Sequence, residues 1–138
     1  MATILDPDDV ALAAILADAG RILGSSLDSS ATLRQIADLI VPAVADWCAI
    51  DLLDADGRLV PLALAHRDPQ RARLVEELRT RYPADPDAPV GAYSVARTGQ
   101  AALIPVIDEE RLAATARDQE QIDLLHDLQL RSWMCAPM

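Results

Sequence analysis

Apolar residues recur at helical spacing in the first third of the chain, then switch to alternation. In "LDPDDVALAAILADAGRILGSSL" the positions Leu12, Ile15, Leu16, Ala19, Ile22 and Leu23 fall on one side of a helix. Asp6 is placed to cap that helix and Pro7 to begin it, with Asp8 and Asp9 at the positive end of its dipole. A second helix follows in "LDSSATLRQIADLIVPAVADW", capped by Asp28 or a neighbouring serine, with a stripe of Leu33, Ile36, Ala37, Ile40 and Val44. Pro42 must kink or end it, because proline has no N–H to donate and its ring clashes with the preceding turn. The period then becomes two. Cys48, Ile50 and Leu52 point one way along a strand, and Val60, Leu62, Leu64 and His66 share a face of the return strand. Between them Asp54-Ala55-Asp56-Gly57 reads as a hairpin turn, with Gly57 supplying a positive φ. Pro61 restricts the return strand to an edge or a bulge.

The second half is more broken. "RDPQRARLVEELRTRYP" predicts a third helix, started by Asp68 and Pro69 and striped by Leu74, Leu78 and Tyr82. Prolines 83, 86 and 89 make "PADPDAPVG" extended and stiff. "AYSVARTGQ" predicts one or two helical turns closed by Gly99, and "AALIPVI" a short strand. "DEERLAATARDQEQIDLLHDLQL" predicts one or two helices, with Asp118 and Gln121 as a capping box. "SWMCAPM" reads as a last, apolar strand. A hairpin set among helices predicts an α+β domain with an antiparallel sheet.

Composition narrows the function classes. The chain has 138 residues, which predicts one domain. Its formal net charge of −10 repels phosphate backbones and anionic lipid, so neither nucleic acid nor a membrane surface is an expected partner. No uninterrupted apolar run reaches membrane-spanning length, and "MATILDPDDV" lacks the basic-then-apolar pattern of a signal peptide. A cytoplasmic protein with reduced cysteines is expected.

Three stretches together resemble a GAF domain, the small-molecule sensor module of bacterial signalling proteins. "RILGSSLDSSATLRQIADLIVPAVADWCAIDLLDADGRLVPLALAH" is similar to the first helices and first hairpin of that family. "AHRDPQRARLVEELRTRYPADPDAPVG" with "RTGQAALIP" is similar to the middle of GAF domains in actinobacterial sensor kinases and sporulation-type serine phosphatases. "LHDLQLRSWMCAPM" resembles the family's helix-to-strand step, except that Gln129 stands where relatives commonly place Gly. The resemblance implies a GAF-like antiparallel sheet with helices on both faces. It also implies that the last strands are missing here or supplied by another chain, leaving the final strand unpaired.

The resemblance further implies a ligand held between one sheet face and the helices and loops crossing it. That points to His66, Tyr82, Tyr93, Ser94, Arg97 and Thr98 as ligand-binding residues. The expected function is regulatory and non-enzymatic: a two-component or serine-phosphatase sensor that binds an unidentified small molecule and biases an output domain. A homodimer through the first helix is expected, since Val10 and Ala13 extend its apolar surface. The alternatives are a ligand-free dimerisation scaffold and a cysteine-based reductase of free methionine sulfoxide, as in another GAF branch.

Sequence context weighs against most other chemistry. Neither Cys48 nor Cys135 has a basic neighbour, and both lie in apolar strands, which favours inert thiols. Cys48, His66, His126 and Cys135 contain no close chelating pair for zinc. Haem through His66 is disfavoured by the scarcity of bulky aromatics; a hydrogen bond from the following turn is the simpler expectation there. His126, beside Asp123 and Asp127, reads as part of a solvated face. Asp51, Asp54 and Asp56 read as a solvated turn, without the ligand run of an EF-hand. The arginines at 67, 71, 73, 79 and 81 are expected to pair with Glu76, Glu77 and nearby aspartates.

Overall fold

The structure is a computed structural model that describes residues 7–25 and 29–138. The caps expected at Asp6 and Asp28 lie outside those residues, as do the side chains of Asp8, Asp9 and Leu23. Among the described residues the order is α1 (Pro7–Ser25), α2 (Ser29–Ile40), β1 (Trp47–Leu53), β2 (Leu59–His66), α3 (Pro69–Arg81), α4 (Ala92–Thr98), β3 (Ala102–Ile104), α5 (Glu109–Thr115), α6 (Gln119–Asp127) and β4 (Trp133–Cys135). The α+β class holds. The strands form two separate two-stranded ladders, β1 with β2 and β3 with β4. The chain divides into two compact units: Met1–Leu52 with Val60–Asp68, and Leu53–Leu59 with Pro69–Met138.

In the first unit α1 packs on α2, and α2 packs on the hairpin. Its core joins Ile36, Ala37 and Val41 to Ile50, Ala63 and Ala65, with Ile22, Leu33, Ile40 and Cys48 half-buried around them. One expectation changes here, and the buried face of β2 is settled. Helix α2 ends at Ile40, before the Val41–Pro42 step, so Val44 leaves the helical stripe and is exposed. On β2 the buried positions are Ala63 and Ala65, while the alternate set Leu62, Leu64 and His66 is only half-buried. The small side chains let a helix approach the strand closely. The α1 stripe is also split: Ile15, Ala19 and Ile22 are half-buried, whereas Leu12 and Leu16 are 50% and 65% exposed.

The second unit holds its own core of Val75, Val95, Leu112, Leu124, Leu125 and Leu128. Helix α6 packs against both α3 and α5. Asp54 organises the hairpin tip: its Oδ1 accepts the backbone N–H groups of Asp56 and Arg58, at 2.9 and 2.8 Å. Gly57 has φ 76°, as the turn requires. Helix α4 ends on Gly99, which is left-handed and donates its N–H to the Val95 carbonyl. Asp108 caps α5 and Asp118 caps α6, each accepting the N–H three residues on. Gln121 completes only half of a capping box. Its Oε1 accepts from the N–H of Arg117, one residue ahead of the cap.

Strand β4 is not left without a partner. It pairs antiparallel with β3 in the register Ala102 to Cys135, Leu103 to Met134 and Ile104 to Trp133. The pairing continues past Pro105, which has no N–H to donate, through Ile107 N–H to the Arg131 carbonyl. The turn into β4 uses Gln129 at φ 53°. Its N–H bonds the His126 carbonyl, and the Leu130 N–H bonds the Leu125 carbonyl. This is the two-bond helix ending that normally takes glycine, so the departure at Gln129 is accommodated by a side chain in the left-handed region.

Candidate functional site

The six candidate binding residues fall in both units. His66 closes β2 in the first; Tyr82, Tyr93, Ser94, Arg97 and Thr98 belong to the second. At His66, Nδ1 accepts the Asp68 N–H at 2.8 Å, which fixes the ring over the turn into α3. That bond gives His66 a local structural role and leaves Nδ1 as the acceptor nitrogen.

In the second unit the candidates flank residues 83–91 along the chain. Tyr82 donates its hydroxyl proton to Asp118 Oδ1 at 2.7 Å, joining the end of α3 to the cap of α6. The Arg81 guanidinium carbon lies 5.8 Å from the Tyr82 ring centre, within cation–π range. Arg81 also pairs with Glu77 and Glu120, and the bonds to Glu120 and then Glu77 hold its pKa above the usual value. The Gln121 N–H, followed by the Tyr82 hydroxyl, keeps Asp118 below the ordinary carboxylate range. In turn the bond to the Asp118 carboxylate, aided by desolvation, pushes the Tyr82 hydroxyl above its ordinary value.

The proline segment itself is tied down through its backbone. Arg117 Nη2 donates to the Pro83 carbonyl at 2.8 Å. Arg97 donates from Nη1 to the Pro86 carbonyl and from Nη2 to the Ala88 carbonyl, the latter at 2.9 Å. Asp85 folds the middle, accepting the Asp87 N–H at Oδ1 and the Ala88 N–H at its carbonyl. Tyr93 Oη accepts the Leu59 N–H at 3.1 Å, which attaches α4 to the hairpin tip. Thr98 Oγ1 donates to the Ser94 carbonyl, and the Gln100 N–H donates back to Thr98 Oγ1. Ser94 is half-buried.

Of the five candidates in this unit, Arg97 straps the proline segment, while Tyr82 ties the end of α3 to α6, Tyr93 ties α4 to Leu59, and Thr98 bonds to Ser94 and Gln100. Sequence reading named Arg97 as a ligand-binding residue, not as a strap, and gave no sign of Arg117, of Asp118 as a tyrosine partner, or of the Arg71 to Gln129 bond at 3.0 Å. Those contacts span 34, 36 and 58 positions, and no local pattern announces them.

Other chemistry is sparse among the described residues. No group of three or more His, Cys, Asp or Glu side chains could hold a metal ion. Cys48 and Cys135 are half-buried thiols, and burial pushes the Cys48 thiol up, away from the reactive thiolate. His126 Nε2 meets Glu109 Oε2 at 2.8 Å on an exposed face.

The family model for the GAF domain matches residues 28–138. The chain belongs to the GAF domain family. GAF domains are regulatory modules of small-molecule binding and signalling, so this GAF domain is regulatory in kind. The matched range contains both units' sheets and all six candidate residues. No curated protein and no solved structure matches the chain. No helix among the described residues is long and apolar enough to cross a membrane.

Proposed function

We propose that this GAF domain is a non-enzymatic, cytoplasmic sensor of a small molecule, and that residues 82–100 form its binding region. The observation that carries this reading is the strapped loop beside α4. The segment is ordered by backbone-directed bonds from Arg97, Arg117 and Asp85, and it joins helices on either side. A ligand that binds better to one arrangement of such a loop shifts the balance between arrangements. The shift passes through α3 and α4 to an output, which we assign to a histidine kinase or serine phosphatase of the kind the middle segment resembles.

A second copy is the expected partner of α1. Val10, Leu12 and Leu16 are at least half exposed on that helix and supply an apolar surface for it. The raised Cys48 thiol supports the non-enzymatic reading, since a reductase needs a thiolate.

Native mass spectrometry of gently purified protein tests the proposal. A retained small molecule, released on denaturation and rebound from a metabolite panel, is the expected result. Bare protein that no panel compound stabilises, together with a dimer lost on Leu12→Asp, would favour the ligand-free scaffold. Methionine sulfoxide turnover that disappears in Cys48→Ser or Cys135→Ser would favour the reductase.

A further inference from the structure

The two arginines that strap the proline segment differ from three other arginines of the chain. Arg81 pairs with Glu77 and Glu120, Arg21 with Asp18, and Arg67 with Asp46. Among the described residues, the side-chain partners of Arg97 and Arg117 are backbone carbonyls alone. Arg97 directs both Nη groups at them, one to Pro86 and one to Ala88. That two-pronged arrangement is the one a guanidinium offers to a carboxylate or phosphate. The bonds to Pro86 and Ala88 already carry the charge of the guanidinium, but a carboxylate or phosphate adds a full opposite charge that a peptide carbonyl lacks, so the carbonyls are the weaker partners for this fork.

We propose that Arg97 recognises an oxyanion group, carboxylate or phosphate, on a small molecule, and that its capture releases residues 86–88 from α4. The proposal rests on the sensing function above and adds the chemical class of the ligand and the part that moves. Asp85 and Asp87 give the release its direction. Both lie in the segment whose carbonyls Arg97 holds, so an anion seated on the guanidinium repels the loop that the guanidinium had retained. Occupancy and opening are thereby coupled. The ends of the moving part are set as well. Arg117 keeps Pro83 in place on one side. On the other, Gly91 has φ 122°, a conformation open to glycine, with nothing within 4 Å of where a Cβ would stand.

Amide hydrogen exchange at Asp87 and Ala88 tests this. Their N–H groups bond within the loop, to Asp85 Oδ1 and to the Asp85 carbonyl. The probes are inorganic phosphate and citrate, titrated at constant ionic strength against sodium chloride. Saturable loss of protection at these two amides, by about tenfold for the two strap bonds, is expected with phosphate, citrate or both. The two arms separate a phosphate-type from a carboxylate-type ligand. The Gly99 amide, inside the α4 cap, should not respond. Arg97 is exposed, so Arg97→Gln should keep the fold, exchange these amides fast without any anion, and ignore both probes. Arg117→Gln should still respond. An equal response to sodium chloride, a response that survives Arg97→Gln, or no response to either probe would overturn the proposal. A neutral metabolite that binds while both anions do nothing would overturn it and leave the sensing function standing.

Discussion

Replacing Gln129 with glycine should stabilise the protein, although it deletes a side chain that makes a hydrogen bond. Gln129 occupies the left-handed region at φ 53°, at the end of α6. That conformation costs a residue with a Cβ about 1–2 kcal/mol. Glycine avoids the cost but loses more freedom on folding, by about 0.5–1 kcal/mol, so its net gain over alanine here is about 1 kcal/mol. Against this stands the bond from Arg71 Nη1 to Gln129 Oε1 at 3.0 Å, which is exposed. An exposed bond of this kind contributes about 0.5 kcal/mol. Gln129→Ala keeps the backbone cost and loses the bond, so it should be destabilised by about 0.5 kcal/mol. Gln129→Gly should then exceed the parent by about 0.5 kcal/mol, a rise of about 1–3 °C in Tm. Urea denaturation of the three proteins checks the order Gly, Gln, Ala, with an unchanged slope showing that only stability moved. A glycine variant less stable than the alanine variant would refute the reasoning, because it would mean that the backbone at 129 is not held left-handed.

Val75 is completely buried on α3, and Val75→Ala should cost about 2 kcal/mol, read from the shift in the urea midpoint. Ala63→Leu should cost about 1–3 kcal/mol by overpacking the first unit, whereas Leu64→Ala on the alternate face should cost less. Asp118 is held below the ordinary carboxylate value, so its contribution to stability is present above the unfolded value of about 4 and is lost as pH falls through the lower folded one. Asp118→Asn should flatten that acid limb while keeping a cap. Tyr82 is shifted upward, so its contribution is present below the unfolded value of about 10 and is lost as pH rises through the higher folded one. Tyrosinate absorbance should show one late-titrating group, and Asp118→Asn should bring it back toward normal.

The elements were largely legible because their signals are local. Pro69 opens α3, Gly99 closes α4, and Gly57 turns the hairpin, each through a backbone preference that one residue dictates. Packing was less legible. The alternation on β2 separates Leu62 and Leu64 from Ala63 and Ala65 without saying which face is buried, and Ala63 and Ala65 are the buried pair, packed in one core with Ile36, Ala37 and Val41. The last strand looked unpaired, yet it meets β3 through a register set some 30 positions earlier in the chain, which no local pattern encodes. The candidate site divides in the same way. Arg97 and Tyr82 could be named through the resemblance to GAF domains, but nothing local pointed to their partners. Pro86 and Ala88 accept through carbonyls that every residue carries, and Asp118 lies 36 positions from Tyr82.

The most direct test of a sensor built on the strapped loop is a backbone amide map by NMR, with and without the molecule that co-purifies or binds best from the metabolite panel. The account predicts that the largest shifts cluster at residues 82–100. Shifts confined to α1, or scattered with no concentration in that segment, would contradict it.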